Sequence, residues 1–441
     1  MTSAGGLLGA APTSEAARAF TAAEQALTRF RGDPLALIKP VIREWPDWSL
    51  AHSFRALVLL GFTERRFAAG AAGSLAKAEA CLGNSPRERG LFEAARQMLN
   101  RRWRKASATY EQLLLAEPTD LLALHLGHNL DFFQGDLWSL RNRVNRVLPC
   151  WTPETPGYAE VLGMHAFGLE ECNHYPEAET AARASLQLAP ENPWANHALA
   201  HVLEMQGRAA EGAEHLAATA SLWAPDSGFA YHIWWHLALF HLEQGQDHEA
   251  LKLFDTELAT PDARFALNMI DAAALLWRLK LLGVDIGSRA EPVADFWRTQ
   301  IEDGGAYYAF NDFHAAVALA LVDDAAALTQ LAARLERADS TDCDPVLNTE
   351  LALPLVIALR AFVTEDFTNA ATALARLRDA AQAFGGSHAQ RDLITWTLIF
   401  AAARSGNGEM ATRYLNERIV MKPESDLSQR LAERISELSA A

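Results

Sequence analysis

The sequence predicts an all-α chain built as a solenoid of antiparallel helix pairs. Three observations carry this reading. Apolar residues recur at three- and four-residue steps, and no stretch shows the sustained alternation that strands need. Residues suited to close helix contacts, most of them small, return at a near-constant interval. Glycines and prolines keep fixed offsets from them, where turns and helix ends belong. Half of the 441 residues are hydrophobic, ample for a core, and because repeat units pack only on their neighbours one long body is expected rather than three domains.

At the N-terminus, about 13 residues with Gly5, Gly6, Gly9 and Pro12 read as a frayed lead-in. A helix is expected from near Ser14. Asp33 before Pro34 is an N-cap with a first-turn proline, and Asp47 after Pro46 offers another N-cap, so two more helices should begin there. Residues 1–90 are thus the N-terminal helices of the solenoid.

From Leu91 the chain repeats itself. Ala106, Leu140, Ala178, Gly212 and Ala250 align as close-contact positions, with separations of 34, 38, 34 and 38 residues. Gly135, Gly207 and Gly245 fall in the turn five residues before an anchor, and Pro118 and Pro190 close the second helix twelve residues after one. Tyr110, Val144, Leu216 and Phe254, four residues past their anchors, should pack between helices. The pattern resembles the tetratricopeptide repeat, whose period is about 34 residues. It assigns residues 91–283 to core repeats and returns at Ala411, with Gly406, Leu415 and Pro423 in register; Ala370 after Phe367 anchors a further unit. Residues 284–310 break the spacing, with Gly287-Ser288 and Gly304-Gly305 flanking a short helix that carries Phe296 and Trp297, and are expected to be an irregular insert. Residues 311–441 complete the array as repeat-like helices.

Composition narrows the partners. Fifty-five acidic against 39 basic residues give a formal charge of −16, which repels nucleic acid and anionic membrane surfaces. No apolar run reaches the roughly 18 residues of a membrane span. Cys81, Cys150, Cys172 and Cys343 form no CxxC pair, and the start lacks the basic region of a secretory signal, so a soluble protein of the reducing cytoplasm is expected. Phosphate-loop, serine-elbow and dinucleotide fingerprints are missing, which disfavours common nucleotide and serine-hydrolase chemistry.

The first helix of each pair should line a concave groove, and steps of three, four and three residues select its inner stripe. That stripe reads Leu122, His125, Asn129 and Phe132; then Glu160, Gly163, Phe167 and Glu170, with Glu171 alongside; then Trp194, His197, His201 and Glu204; then His232, Trp235, Leu239 and Leu242. Three readings compete for His197, His201 and Glu204. Two histidines at i and i+4 with a carboxylate can hold a divalent metal, with Glu170 or His232 as a further ligand, although no HExxH accompanies them. A histidine with a pKa near 6.5 beside a glutamate can instead shuttle protons without a metal. The third reading has these groups bond to one another or contact a ligand, with no chemistry. Asp312 and His314, after Tyr307, Tyr308 and Phe310, are placed to close one end of the groove, although Asp312 also suits a helix start. Asp271, in the apolar segment Phe265 to Leu282, needs a partner if buried, such as Arg278 or a groove histidine.

Gly163 to Glu171, His197 to Gly207, Tyr231 to His236 and Asn311 to Ala315, in this order and at these separations, resemble the tetratricopeptide repeat protein 38 family. The resemblance is best over residues 158–283 and implies a repeat solenoid with a His- and Trp-rich interior; it implies no reaction. The expected function is a binding protein whose groove holds a peptide, protein or small organic ligand, with Trp194 and Trp235 giving contact area and His125, Asn129, Glu170, Asp312 and His314 lining it. The alternative is an enzyme in which His197 or His201 is the general base, Glu204 or Glu170 orients it, and His232 or His314 stabilises negative charge. No cofactor is certain; a divalent metal is the one the residues allow.

Overall fold

The computed structural model describes residues 11–260, 264–302, 305, 307–338 and 347–440. Most of the expected lead-in, Gly304 and Cys343 lie outside them. Among the described residues every regular element is helical, apart from an isolated bridge between Arg31 and Ser227, and the helices form the antiparallel pairs of a tetratricopeptide-repeat-like solenoid. Contacts divide the chain into two units, residues 1–199 with 219–230, and residues 200–218 with 231–441. The helices Pro193–Met205 and Ala209–Trp223 each pass from one unit's residues to the other's.

In the first unit, the Thr13 hydroxyl accepts from the Ala16 backbone and starts the helix Ser14–Thr28. Asp33 caps Pro34–Glu44 by accepting from Leu35 and Ala36. Asp47 does not cap the next helix, Ser49–Gly61. Trp48 takes the N-cap position, because its ring is buried against Phe20 at 5.3 Å and that packing fixes where the chain turns. The pairs Pro86–Leu99 with Trp103–Ala116, Leu121–Phe133 with Leu137–Val147, and Tyr158–Glu170 with Tyr175–Leu188 follow. Their anchors Ala106, Leu140 and Ala178 are fully buried. Phe20, Phe54, Tyr110, Phe167 and Trp223 fill this unit's core.

In the second unit, Gly212 lets Ala209–Trp223 meet Ala230–Glu243: a Cβ there would lie 2.3 Å from Cζ of Phe240. Gly207 turns the chain in the left-handed region, with φ of 69°, as its place before the anchor requires. The expected insert holds a 3-10 turn, Gly287–Arg289, and the helix Ala290–Glu302 with Trp297 buried. Ala309–Leu321 with Ala325–Arg337, Leu353–Val363 with Phe367–Leu377, and His388–Arg404 with Gly408–Met421 continue to Asp426–Ala440. Ala250, Ala370 and Ala411 are fully buried anchors, and Trp235, Phe240, Trp277 and Trp396 dominate the core.

Candidate functional site in the histidine-rich interior

Five helices of the second unit bring polar side chains into one interior. His201 and Glu204 come from the end of Pro193–Met205, His232 and His236 from Ala230–Glu243, Asp271 from Ala266–Leu281, Gln390 from His388–Arg404, and Lys422 from the residue closing Gly408–Met421. His232 and His236 are one helical turn apart and so share a face. The His236 ring lies 4.4 Å from that of His201 and 4.8 Å from that of His232. A nitrogen from each of the three imidazoles falls within 4.8 Å of the others.

Carboxylates back two of these rings. His232 Nδ1 lies 2.7 Å from Asp271 Oδ2, and His236 Nδ1 lies 3.2 Å from Glu204 Oε2. A carboxylate oxygen accepts, so Nδ1 donates in both bonds, and at His236, which burial holds neutral, Nε2 is left with the lone pair. The second oxygen of Glu204 accepts from Lys422 Nζ at 2.6 Å. That of Asp271 accepts from Gln390 at 3.4 Å, and Gln390 is itself held by its capping box with Ser387. The partner that a buried Asp271 needs is a histidine rather than Arg278, whose guanidinium lies over Trp235 and donates to the Ala389 carbonyl at 2.6 Å.

Burial sets the charge states. It carries His201 well below its ordinary 6.5, helped by the neighbouring His236 and only partly opposed by Glu204. His236 is also lowered by burial, against the pull of its Glu204 bond. Burial alone would raise Glu204, but Lys422 and His236 outweigh it and hold the carboxyl well below its usual range. The result is neutral imidazoles beside an ionised carboxylate. The expectation of a histidine titrating near 6.5 is therefore corrected for His201, because desolvation disfavours its cationic form.

The residues expected to line the groove are largely enclosed. Trp194, His125, His197, His201, Glu204, Glu170, Trp235, Asp312 and His314 are all buried, and only Asn129 and His232 are half-buried. Large rings pack against these side chains. In the first unit His125 accepts from Asn129 Nδ2 at 3.1 Å, packs on Phe30 and Trp194, and is pushed by burial to about 3. His197 in the same unit packs on Phe167 at 4.9 Å and Phe229 at 4.8 Å. In the second unit Trp235 stacks on His232 at 5.3 Å. His314 donates from Nδ1 to the Phe310 carbonyl at 2.8 Å and packs on the Phe310 ring, which fits a packed helix histidine rather than a groove-end group. Asp312 occupies the first turn of Ala309–Leu321, where its charge suits the helix dipole.

Sequence reasoning missed His236, Gln390 and Lys422. The signal for His236 was present, since His232 and His236 repeat the i, i+4 spacing of His197 and His201.

The fold defines the class, a helical repeat protein with a buried histidine and carboxylate interior. No family model matches the sequence. Among solved structures, the chain is similar to one in the Cut9-Hcn1 hetero-tetramer of the APC/C, with 13% identity, a TM-score of 0.41, and coverage of 87% of this chain and 62% of that one. It thus spans less than two thirds of that protein. It is also similar to human IFIT1 in a dimer with m7Gppp-AAAA (14% identity, TM-score 0.38, 96% and 100% covered) and to the P58(IPK) TPR domain (14% identity, TM-score 0.20, 92% and 99% covered). The class itself rests on the helix pairs and their register.

Proposed function

We propose that the protein is a repeat-type binding protein whose second unit holds a divalent ion of the zinc class on His201, His232 and His236, with an open coordination position for a small organic ligand or peptide group. One observation carries the reading: three imidazoles converge, and two of them are backed at Nδ1 by Asp271 and Glu204. Metal-bound histidines are commonly oriented in this way by an outer carboxylate. Three imidazoles suit zinc, with nitrogens at about 2.0–2.1 Å and a fourth position left for water or ligand. A tetrahedral shell at those lengths spaces its nitrogens about 3.3 Å apart, so the rings close by roughly 1.5 Å or less. Neutral imidazole is the ligating form, and burial favours it at His201 and His236.

Retaining Glu204 and Lys422 in a packed interior is no better for stability than apolar residues of similar volume, which favours a task for them. His232, with 15% of its side chain exposed, marks the side from which a ligand reaches the site. The enzyme alternative, metal-assisted chemistry on a small molecule, draws on the same residues; a metal-free imidazole base gains nothing from the burial. Membership of the tetratricopeptide repeat protein 38 family belongs to the proposal, because the segments that carry the resemblance supply His201, Glu204, His232 and His236. So does a cytoplasmic setting, in keeping with the thiols Cys81, Cys150 and Cys172.

Elemental analysis after zinc loading and dialysis tests this reading on the wild type, His201→Ala and His236→Ala. About one ion per chain, lost in both variants while helical circular dichroism persists, is the expected result. A metal-free wild type removes the metal centre. Small-molecule capture that is unchanged in both variants removes the site as the ligand-binding element.

A further inference from the structure

The first unit contains a pocket of about 290 Å³ that is independent of the histidine interior. Three consecutive helices build it with pairs at helical spacing. Lys39 and Ile42 come from Pro34–Glu44, His52 and Arg55 from Ser49–Gly61, and Gly70, Gly73, Ser74 and Lys77 from one face of Ala68–Ala80. Three basic side chains therefore face one cavity, and no carboxylate lines it.

That imbalance stands against a chain with a formal charge of −16, two of whose buried arginines meet carboxylates. Arg87 meets Asp120 and Glu24, and Arg143 meets Asp131 and Glu111. Lys39, Arg55 and Lys77 lie within salt-bridge distance of no described carboxylate, and each raises the electrostatic cost of the others. Arg55 is also oriented: its Nη1 donates to the Gly70 carbonyl at 3.2 Å and to the Ser74 hydroxyl, which in turn donates to the Gly70 carbonyl at 3.0 Å. Such a held guanidinium recognises oxyanions through its planar array of N–H groups.

Gly73 supplies a separate indication. It lies inside a helix, where glycine is unfavourable, yet a Cβ at this position would meet nothing within 4 Å. Packing does not require it. Its effect is to keep the pocket wall low beside Ser74 and Lys77.

We infer that this pocket binds a small phosphate ester, with the phosphoryl group held by Lys39, Arg55 and Lys77 and the remainder of a sugar-sized molecule over Gly70 and Gly73. The volume stands near the lower end of small-molecule sites, roughly 300–1,000 Å³, and exceeds what a lone phosphate needs. The cations supply the dianion's counter-charge, so affinity falls as salt rises.

Isothermal titration calorimetry of the full chain tests this at low salt with ribose 5-phosphate, inorganic phosphate and ribose as probes. Ribose 5-phosphate is expected to bind and ribose not to bind. Lys39→Gln and Lys77→Gln, both at exposed positions, should each weaken ribose 5-phosphate by about tenfold with thermal stability unchanged. Gly73→Leu should weaken ribose 5-phosphate more than inorganic phosphate. Absence of heat from both phosphate probes at millimolar concentration overturns the inference, as does ribose 5-phosphate binding that ignores all three substitutions.

Discussion

At the scale of the residue, the pairing of Glu204 with Lys422 shows what the interior demands. The two side chains are 4% and 5% exposed and their charged atoms are 2.6 Å apart, so each replaces water for the other. Truncating one partner strands a buried charge, whereas replacing both does not. Lys422→Met is therefore expected to lower the free energy of unfolding by about 3–5 kcal/mol, and Glu204→Gln with Lys422→Met together to recover most of it, as read from urea denaturation. A Lys422→Met protein as stable as wild type would mean that water already solvates Glu204. Part of this environment was legible in the sequence, since a buried Asp271 had to find a partner and His232 provides it. Lys422 was not legible. It stands 218 residues from Glu204, and repeat periodicity places it only as a residue near a helix end.

At the scale of the element, the same substitution should act with opposite signs at two glycines. Gly212 stands where Phe240 crosses, and its absent side chain is part of the contact; Gly73 stands over open space. Gly212→Ala forces overpacking and is expected to destabilise by about 1–3 kcal/mol. Gly73→Ala, in a helical conformation, should stabilise by about 0.5–1 kcal/mol. Thermal melts of the two variants check both, and equal shifts would contradict the assigned register. The anchors and turn glycines were readable because close approach and positive φ restrict residue choice at those positions. The start of Ser49–Gly61 was misread by one residue because a tertiary contact of Trp48 with Phe20, which capping preference does not record, sets it. The inner stripe was legible as polar and aromatic, and its near-complete burial was not, since side-chain volume across neighbouring helices decides how much of a groove remains.

At the scale of the whole molecule, buried neutral histidines govern the response to acid. His125 and His128 in the first unit and His314 in the second are each pushed by burial to about 3 from 6.5. The unfolded chain takes up protons at these groups as pH falls through 6.5, whereas the folded chain does not until near 3. The unfolded state thus binds more protons in that window, and stability falls with pH by about 1.4 kcal/mol per unit for each group. Both units are expected to lose stability between pH 6.5 and 5, with the urea midpoint moving down; a midpoint unchanged over that range would mean these rings are solvated. A metal-binding centre formed by His201, His232 and His236 has a crystallographic signature. Anomalous diffraction at the zinc edge from zinc-loaded crystals would locate the ion. The expected result is a peak about 2.0–2.1 Å from one nitrogen of each of the three imidazoles, with Asp271 and Glu204 still bonded at Nδ1; a peak only on surface residues, or none in this interior, would rule the centre out.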